Sequence, residues 1–184
     1  MFKKFYPYEH IDSVFSIDYE ALYKKGYRGI IFDLDNTLVH HGDNSNEKVD
    51  NLFKHIHSVG FKTILLTNND EDRVKRFIKN IDTKYVSDAG KPNPLCYLKA
   101  IELLGLNKDE VVYMGDQIFI DILGANKSGI ASILIDFIRV DSEKRIGKKR
   151  YIEKFILLFY KHSKYNHRIG NICKENSNGK KVVL

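Results

Sequence analysis

At 184 residues the chain has room for one domain with a real core and is short for two. Hydrophobic residues at 43% and charged residues at 29% fit a globular protein, and no run approaches the roughly 18 apolar residues of a membrane-spanning helix. The net charge of +6 is uneven: from Arg139 onward nine Lys and four Arg face four acids, so this end carries +9 and everything before it −3.

The opening residues 1–7 break their apolar stretch with lysines and a proline, so they are not read as a signal peptide. Residues 12–25 form a leading segment with a helix over Tyr19–Lys24, stopped by Gly26. Residues 29–34 are a short apolar run suited to a buried parallel strand. The polar stretch 40–46 leads into a helix over Glu47–Val59, whose Val49, Leu52, Phe53 and Ile56 share one face. Lys62–Leu66 is the next strand, and Asp70 caps a helix over 71–79. Lys84–Val86 is a short strand. A helix opened by Asn93 or Pro94 runs to Leu104 and stops at Gly105. A strand over 111–114, a helix over 118–127 ending near Gly129 and a strand over Ala131–Ile135 complete the alternation. Strands and helices alternating at these lengths predict an α/β fold, doubly wound on a mostly parallel sheet. One domain is expected over 1–165, with a polar, flexible tail over 166–184. Cys96 and Cys173 have no metal-ligand spacing and read as reduced thiols of a cytosolic protein.

Polar groups collect just past the strands. Asp33-Leu34-Asp35-Asn36-Thr37 ends the first of them, at the carboxyl edge where open α/β sheets bind ligands. Two carboxylates that converge there repel unless a cation or a shared proton separates them, which points to Mg²⁺ with its oxygen ligands. Thr67-Asn68-Asn69 follows the next long strand, Lys91 stands in Gly90-Lys91-Pro92, and Gly115-Asp116 ends a further strand with Asp121 five residues on. Each element has a plain alternative. Asp-x-Asp before Asn-Thr is also turn and cap chemistry, as is Thr-Asn-Asn, and an acid inside a helix is commonly solvated. Their order and their shared position at strand ends favour the catalytic reading.

These four motifs resemble those of the haloacid dehalogenase superfamily of aspartate-nucleophile phosphatases. Asp-Leu-Asp-Asn-Thr, Thr-Asn-Asn, Gly-Asp-Gln with its later Asp, and Leu-Gly-Ala-Asn are similar to the small YqeG-like subfamily, related to phosphatidylglycerophosphate phosphatases. The resemblance implies a Rossmann-like three-layer sandwich. It has no cap domain, since neither the 35–46 loop nor the segment from Thr67 to Asp116 has room for one. It implies Asp33 as nucleophile and metal ligand. Asp35 becomes the general acid and base, its pKa raised by the neighbouring carboxylate and its main-chain carbonyl on the metal. Thr67, the backbone near Asn68, and Lys91 would hold the phosphoryl group. Asp116 would bind Mg²⁺, and Asp121 would bind it or orient Lys91. The substrate class is a phosphate monoester, with phosphatidylglycerophosphate first. A soluble sugar phosphate, nucleotide or phosphoprotein is the alternative, and a non-enzymatic module docking on RNA, ribosome or membrane the second.

The basic end bears on the partner. Lys148-Lys149-Arg150 precedes an apolar stripe of Ile152, Phe155, Ile156 and Phe159 at helical spacing. Such a helix can lie on an anionic membrane, or its stripe can pack on the sheet as the last helix of the fold. Phe2 to Tyr6 is a second, weaker aromatic-basic contact. The expected location is cytoplasmic, peripheral on the inner membrane face, with nucleic acid a less favoured anionic partner. His40, His41, His55 and His57 lack a zinc-protease pattern and read as surface or loop histidines near the substrate.

Overall fold

The computed structural model describes residues 2–138 and 148–174. Six strands form one sheet in which every pairing is parallel. They are β1 (Glu9–Ile11), β2 (Gly29–Phe32), β3 (Lys62–Leu66), β4 (Lys84–Val86), β5 (Val111–Gly115) and β6 (Ala131–Ile135), in the spatial order β1-β6-β5-β2-β3-β4. The chain moves outward from β2 through β3 to β4, then crosses back to β5 on the other side of β2. That reversal makes a crevice at the carboxyl ends of β2 and β5, the usual ligand position in open α/β sheets.

Neighbouring strand residues face opposite sides of the sheet, so the core splits in two. Ile30, Phe32, Leu65 and Met114 face Leu22 of α1 (Tyr19–Lys24), Phe53 of α2 (Glu47–Val59) and Phe77 of α3 (Glu71–Phe77). Ile31, Ile64, Leu66 and Tyr113 face Tyr97 of α4 (Pro94–Leu104) and Ala125 of α5 (Leu123–Ser128). The result is the expected three-layer sandwich. Local chemistry sets the helix ends: Asn46 accepts from Val49 N, Asp70 from Arg73 N, and Asn93 from Leu95 N just before Pro94. Gly60 and Gly105 close α2 and α4 in the left-handed region.

Several expected elements change shape. Strand β1 was not foreseen: three residues carry little pattern, and they become a strand only by pairing with β6. The helix expected over 118–127 begins as a π-helical turn, Ile118–Ile122, before α5. The helix expected over 71–79 ends at Phe77 and tightens into a 3₁₀ turn, Ile78–Asn80.

The C-terminal half-turns differ more. In α6 (Lys148–Lys161) the predicted stripe divides. Ile156 is buried with Glu153 and Tyr160, whereas Ile152, Phe155 and Phe159 are 54%, 61% and 54% exposed. Residues 166–174, expected within the tail, pack on the domain. Ile169 and Ile172 join the core, Ile172 O accepts from Asp18 N, and buried Glu9 takes the N–H groups of Ile169 and Gly170. A buried carboxylate needs such donors, which draws this stretch inward. Residues 175–184 of the expected tail, and Arg139, lie outside the described residues.

Candidate active site

Asp33 leaves the end of β2 with its N–H on Met114 O, so its carboxylate stands between β2 and β5. Its Oδ2 accepts from the Thr37 hydroxyl at 3.1 Å and its Oδ1 from Lys91 Nζ at 2.5 Å. The same ammonium donates to Asp121 Oδ1 at 2.8 Å and to the Tyr113 hydroxyl at 2.9 Å. Asp121 also accepts from Tyr113 at 2.6 Å and from Gln117 N at 3.0 Å. All four side chains are buried. Gly115 permits this crowding: a Cβ there would lie 2.6 Å from Asp121 Cγ.

Asp35 has a different setting. It accepts from Arg73 Nη2 at 2.8 Å, Asn69 Nδ2 at 2.9 Å and Gly42 N at 3.2 Å, with His41 Nδ1 at 3.1 Å. Burial pushes its pKa up, but the bonds from Asn69, Gly42 and Arg73 outweigh burial and hold the carboxyl below its ordinary value. This corrects the expectation of a raised Asp35: a guanidinium and N–H groups surround it, and no carboxylate is among the causes of its shift. The raised carboxyls are others. Burial lifts Asp33 to about 6, with Asp121 adding and Lys91 opposing. Burial, then Asp121 and Asp33, holds Asp116 well above its ordinary value, with Arg150 opposing. Burial alone would lower Lys91, but Asp121 and Asp33 raise it.

The loop after β3 works as a frame. Thr67 Oγ1 accepts two bonds from Asn69, at 2.9 Å from Nδ2 and 3.2 Å from N. Asn68 clamps the main chain of Lys91, accepting from its N at 2.8 Å. Asp33, Asp35, Thr67, Asn68 and Lys91 thus line one cavity of about 170 Å³, with His41 on its wall.

Asp116 completes the group. One carboxylate oxygen from each of Asp33, Asp116 and Asp121 lies within 4.8 Å of the other two. Asp116 Oδ1 is buried without a hydrogen-bond partner among the described residues. Among the described residues, four carboxylates here face three fixed cations, Lys91, Arg73 and Arg150. An all-oxygen set with a free lone pair and excess negative charge fits a hard divalent cation.

All seven residues singled out in the sequence therefore meet at one edge of the sheet. Sequence reasoning missed Arg73, Asn69, Tyr113 and Arg150, and left His41 without a role. The acids that Arg73, Asn69, Tyr113 and Arg150 meet at the site lie 8 to 38 residues away from them, so no local pattern reports these pairings.

A model of the haloacid dehalogenase-like hydrolases matches residues 43–129. The "Probable phosphatase YqeG" of Bacillus subtilis (strain 168) is 35% identical over 137 residues, 73% of this chain and 80% of that protein. The "Phosphatidylglycerophosphate phosphatase 1, chloroplastic/mitochondrial" of Arabidopsis thaliana is 27% identical over 71% of this chain and 40% of its own length. A crystal structure of an uncharacterized protein from Listeria monocytogenes serotype 4b superposes with a TM-score of 0.52 at 17% identity, over 74% of this chain and 99% of that one. This last likeness concerns the fold. With the acids gathered at the carboxyl edge and a relative this similar over most of both chains, the chain belongs to the haloacid dehalogenase-like hydrolases and is a phosphatase of that family.

Proposed function

We propose that this phosphatase is a Mg²⁺-dependent phosphomonoesterase that works through an aspartyl-phosphate on Asp33 and dephosphorylates phosphatidylglycerophosphate at an anionic membrane surface. The contrast between Asp33 and Asp35 carries the chemical part. Asp33 is fixed by Lys91 and Thr37 beside the acid cluster, while Asp35 stands apart on the cavity wall, held by Arg73 and Asn69. Asp33 attacks phosphorus, forming its O–P bond as the ester O–P bond breaks. Asp35 gives the leaving alkoxide a proton and later takes one from the water that cleaves the aspartyl-phosphate. Its hydrogen bonds favour the ionised form, so a bound phosphate dianion must raise its proton affinity first. Both lone pairs of Thr67 Oγ1 are taken by Asn69, which leaves the hydroxyl hydrogen for a phosphoryl oxygen. Lys91, positioned by Asp121 and Tyr113, meets charge building on the phosphoryl group. Asp33, Asp116 and the main-chain carbonyl of Asp35 would hold Mg²⁺, which supplies charge neutralisation at the phosphoryl oxygens.

Two observations favour a lipid. Only loop residues separate β2 from α2, and α3 with its closing 3₁₀ turn is all the helix between β3 and β4, so no cap domain closes over the site among the described residues. Beside it, α6 exposes Tyr151, Ile152, Phe155, Leu158 and Phe159, flanked by exposed Lys149, Lys154 and Lys161. A basic helix with an apolar outer face suits the headgroup region of an anionic bilayer. No helix among the described residues is long and apolar enough to cross one. The activity named for the Arabidopsis thaliana relative points the same way. The test is phosphate release from phosphatidylglycerophosphate in mixed micelles, beside sugar phosphates and nucleotides, with Mg²⁺ or EDTA. Metal-dependent release, much faster from the lipid, supports the reading. Release from soluble esters alone keeps the phosphatase and removes the lipid.

A further inference from the structure

Arg150 projects from α6 to the acid cluster, 34 residues from Asp116 in sequence. Its Nη2 pairs with Asp116 Oδ2, and its Nη1 donates to the main-chain oxygen of the same residue. Nη1 also lies 3.1 Å from Glu153 Oε2, one turn along α6. The other oxygen of Glu153 accepts from Ile118 N at 2.8 Å, at the start of the π-helical turn that carries Asp121. Phe137 stacks under the guanidinium, its ring centroid 4.8 Å away. Arg150 thus holds a carboxylate oxygen and a peptide oxygen of one residue, and Glu153 ties that grip to the segment following β5.

The grip has a direction. With Oδ2 and the main-chain oxygen both taken, neither the side chain nor the peptide of Asp116 is free to rotate. The oxygen left over is Oδ1, buried and without a partner among the described residues. We infer that Arg150 and Glu153 are positioning residues for the metal site, fixing Asp116 so that Oδ1 is presented to the cation. The inference rests on the reading of Asp116 as a metal ligand. Outer partners that orient a ligand commonly change metal affinity by about 10- to 100-fold when removed. A consequence follows for α6. The helix whose outer face is apolar and basic also bears, on its inner side, the clamp on a metal ligand.

The test is the Mg²⁺ dissociation constant by calorimetry, checked by Mn²⁺ electron paramagnetic resonance, on wild type, Arg150→Met, Arg150→Lys, Glu153→Gln and Ile156→Val. Melting of each metal-free protein shows that it is folded. Arg150→Met is expected to bind the ion about 10- to 100-fold more weakly. Arg150→Lys recovers part of the loss, because an ammonium reaches one oxygen but not both. Glu153→Gln keeps an acceptor for Ile118 N while loosening Arg150, and falls between wild type and Arg150→Met. Ile156→Val removes a buried methylene from the same helix and leaves the clamp intact, so it binds within about twofold of wild type. Wild-type affinity in folded Arg150→Met, or an equal loss in Ile156→Val, overturns the clamp. Absence of binding by the wild type overturns the metal reading itself and the clamp with it.

Discussion

Lys91 Nζ lies 2.5 Å from Asp33 Oδ1, both side chains buried, although 58 residues separate them. Asp121 on the far side of the ammonium makes this a shared cation: one lysine between two acids, braced by the Tyr113 hydroxyl. Removing it leaves two buried carboxylates facing each other. Breaking a buried pair on one side commonly costs about 3–5 kcal/mol. Lys91→Met is therefore expected to lose about that much stability in urea melts of the metal-free protein, and nearly all turnover. A variant as stable as wild type would mean that Lys91 is held by something other than these acids.

Asn69, Gly42 and Arg73 together hold the Asp35 carboxyl towards its ionised form. The Nη2 bond of Arg73, with those of Asn69 and Gly42, keeps that carboxyl below its ordinary value. In Arg73→Met the folded pKa of Asp35 rises. The limb of the kcat profile that Asp35 governs is expected to move to higher pH while Mg²⁺ affinity changes little. A shift to lower pH contradicts the assignment.

A cation held by the acid cluster would compete there with protons. A carboxyl whose folded pKa is raised binds a proton more readily folded than unfolded. Its ionised form therefore costs stability above the folded value, about 6 for Asp33, and the cost fades as pH falls towards the ordinary 3.8. Asp116 shifts in the same direction. Mg²⁺ relieves that cost only where the carboxylates are ionised. At a hundredfold excess over Kd the ion contributes about 2.7 kcal/mol, on the order of 5–10 °C in melting temperature for a chain of this size. The rise is expected in full near pH 7.5 and strongly reduced near pH 5. Equal rises at both would place the ion away from these acids.

The outer face of α6 separates docking from chemistry. Phe155 and Phe159 are 61% and 54% exposed, and their rings meet edge to face at 4.9 Å. Replacing both with Ser removes apolar surface and no core. The double variant is expected to keep its melting temperature and its rate on a soluble ester, and to lose about tenfold or more in binding to anionic vesicles in cosedimentation. Undiminished vesicle binding would remove α6 as the docking element.

The parallel sheet, its helices and the seven candidate residues that gather at one sheet edge were legible because each rests on a local signal. An apolar run ending in Asp33, a Thr after β3 and Asp70, Asn93 and Gly105 at helix ends can all be read within a few neighbours. What escaped depends on distance in sequence. Strand β1 exists by pairing with β6, more than a hundred residues on. The direction of the Asp35 shift depends on Asn69 and Arg73, 34 and 38 residues away, and the packing of Ile169 and Ile172 on the N–H groups that Ile169 and Gly170 give to buried Glu9 and the one that Asp18 gives to Ile172 O. The apolar stripe of α6 was visible as helical spacing, but spacing alone does not say which residues face inward. Ile156 does, and Phe155 does not.

Whether Asp33 is the nucleophile of a metal-dependent phosphatase is decided by one comparison. Phosphate release is measured with saturating Mg²⁺ and with EDTA, for wild type and Asp33→Asn, beside the melting curve of each. The account predicts release by wild type with Mg²⁺ only. In Asp33→Asn, which stays folded, release falls by about four orders of magnitude or more. Turnover retained in folded Asp33→Asn, or turnover unchanged by EDTA, would contradict it.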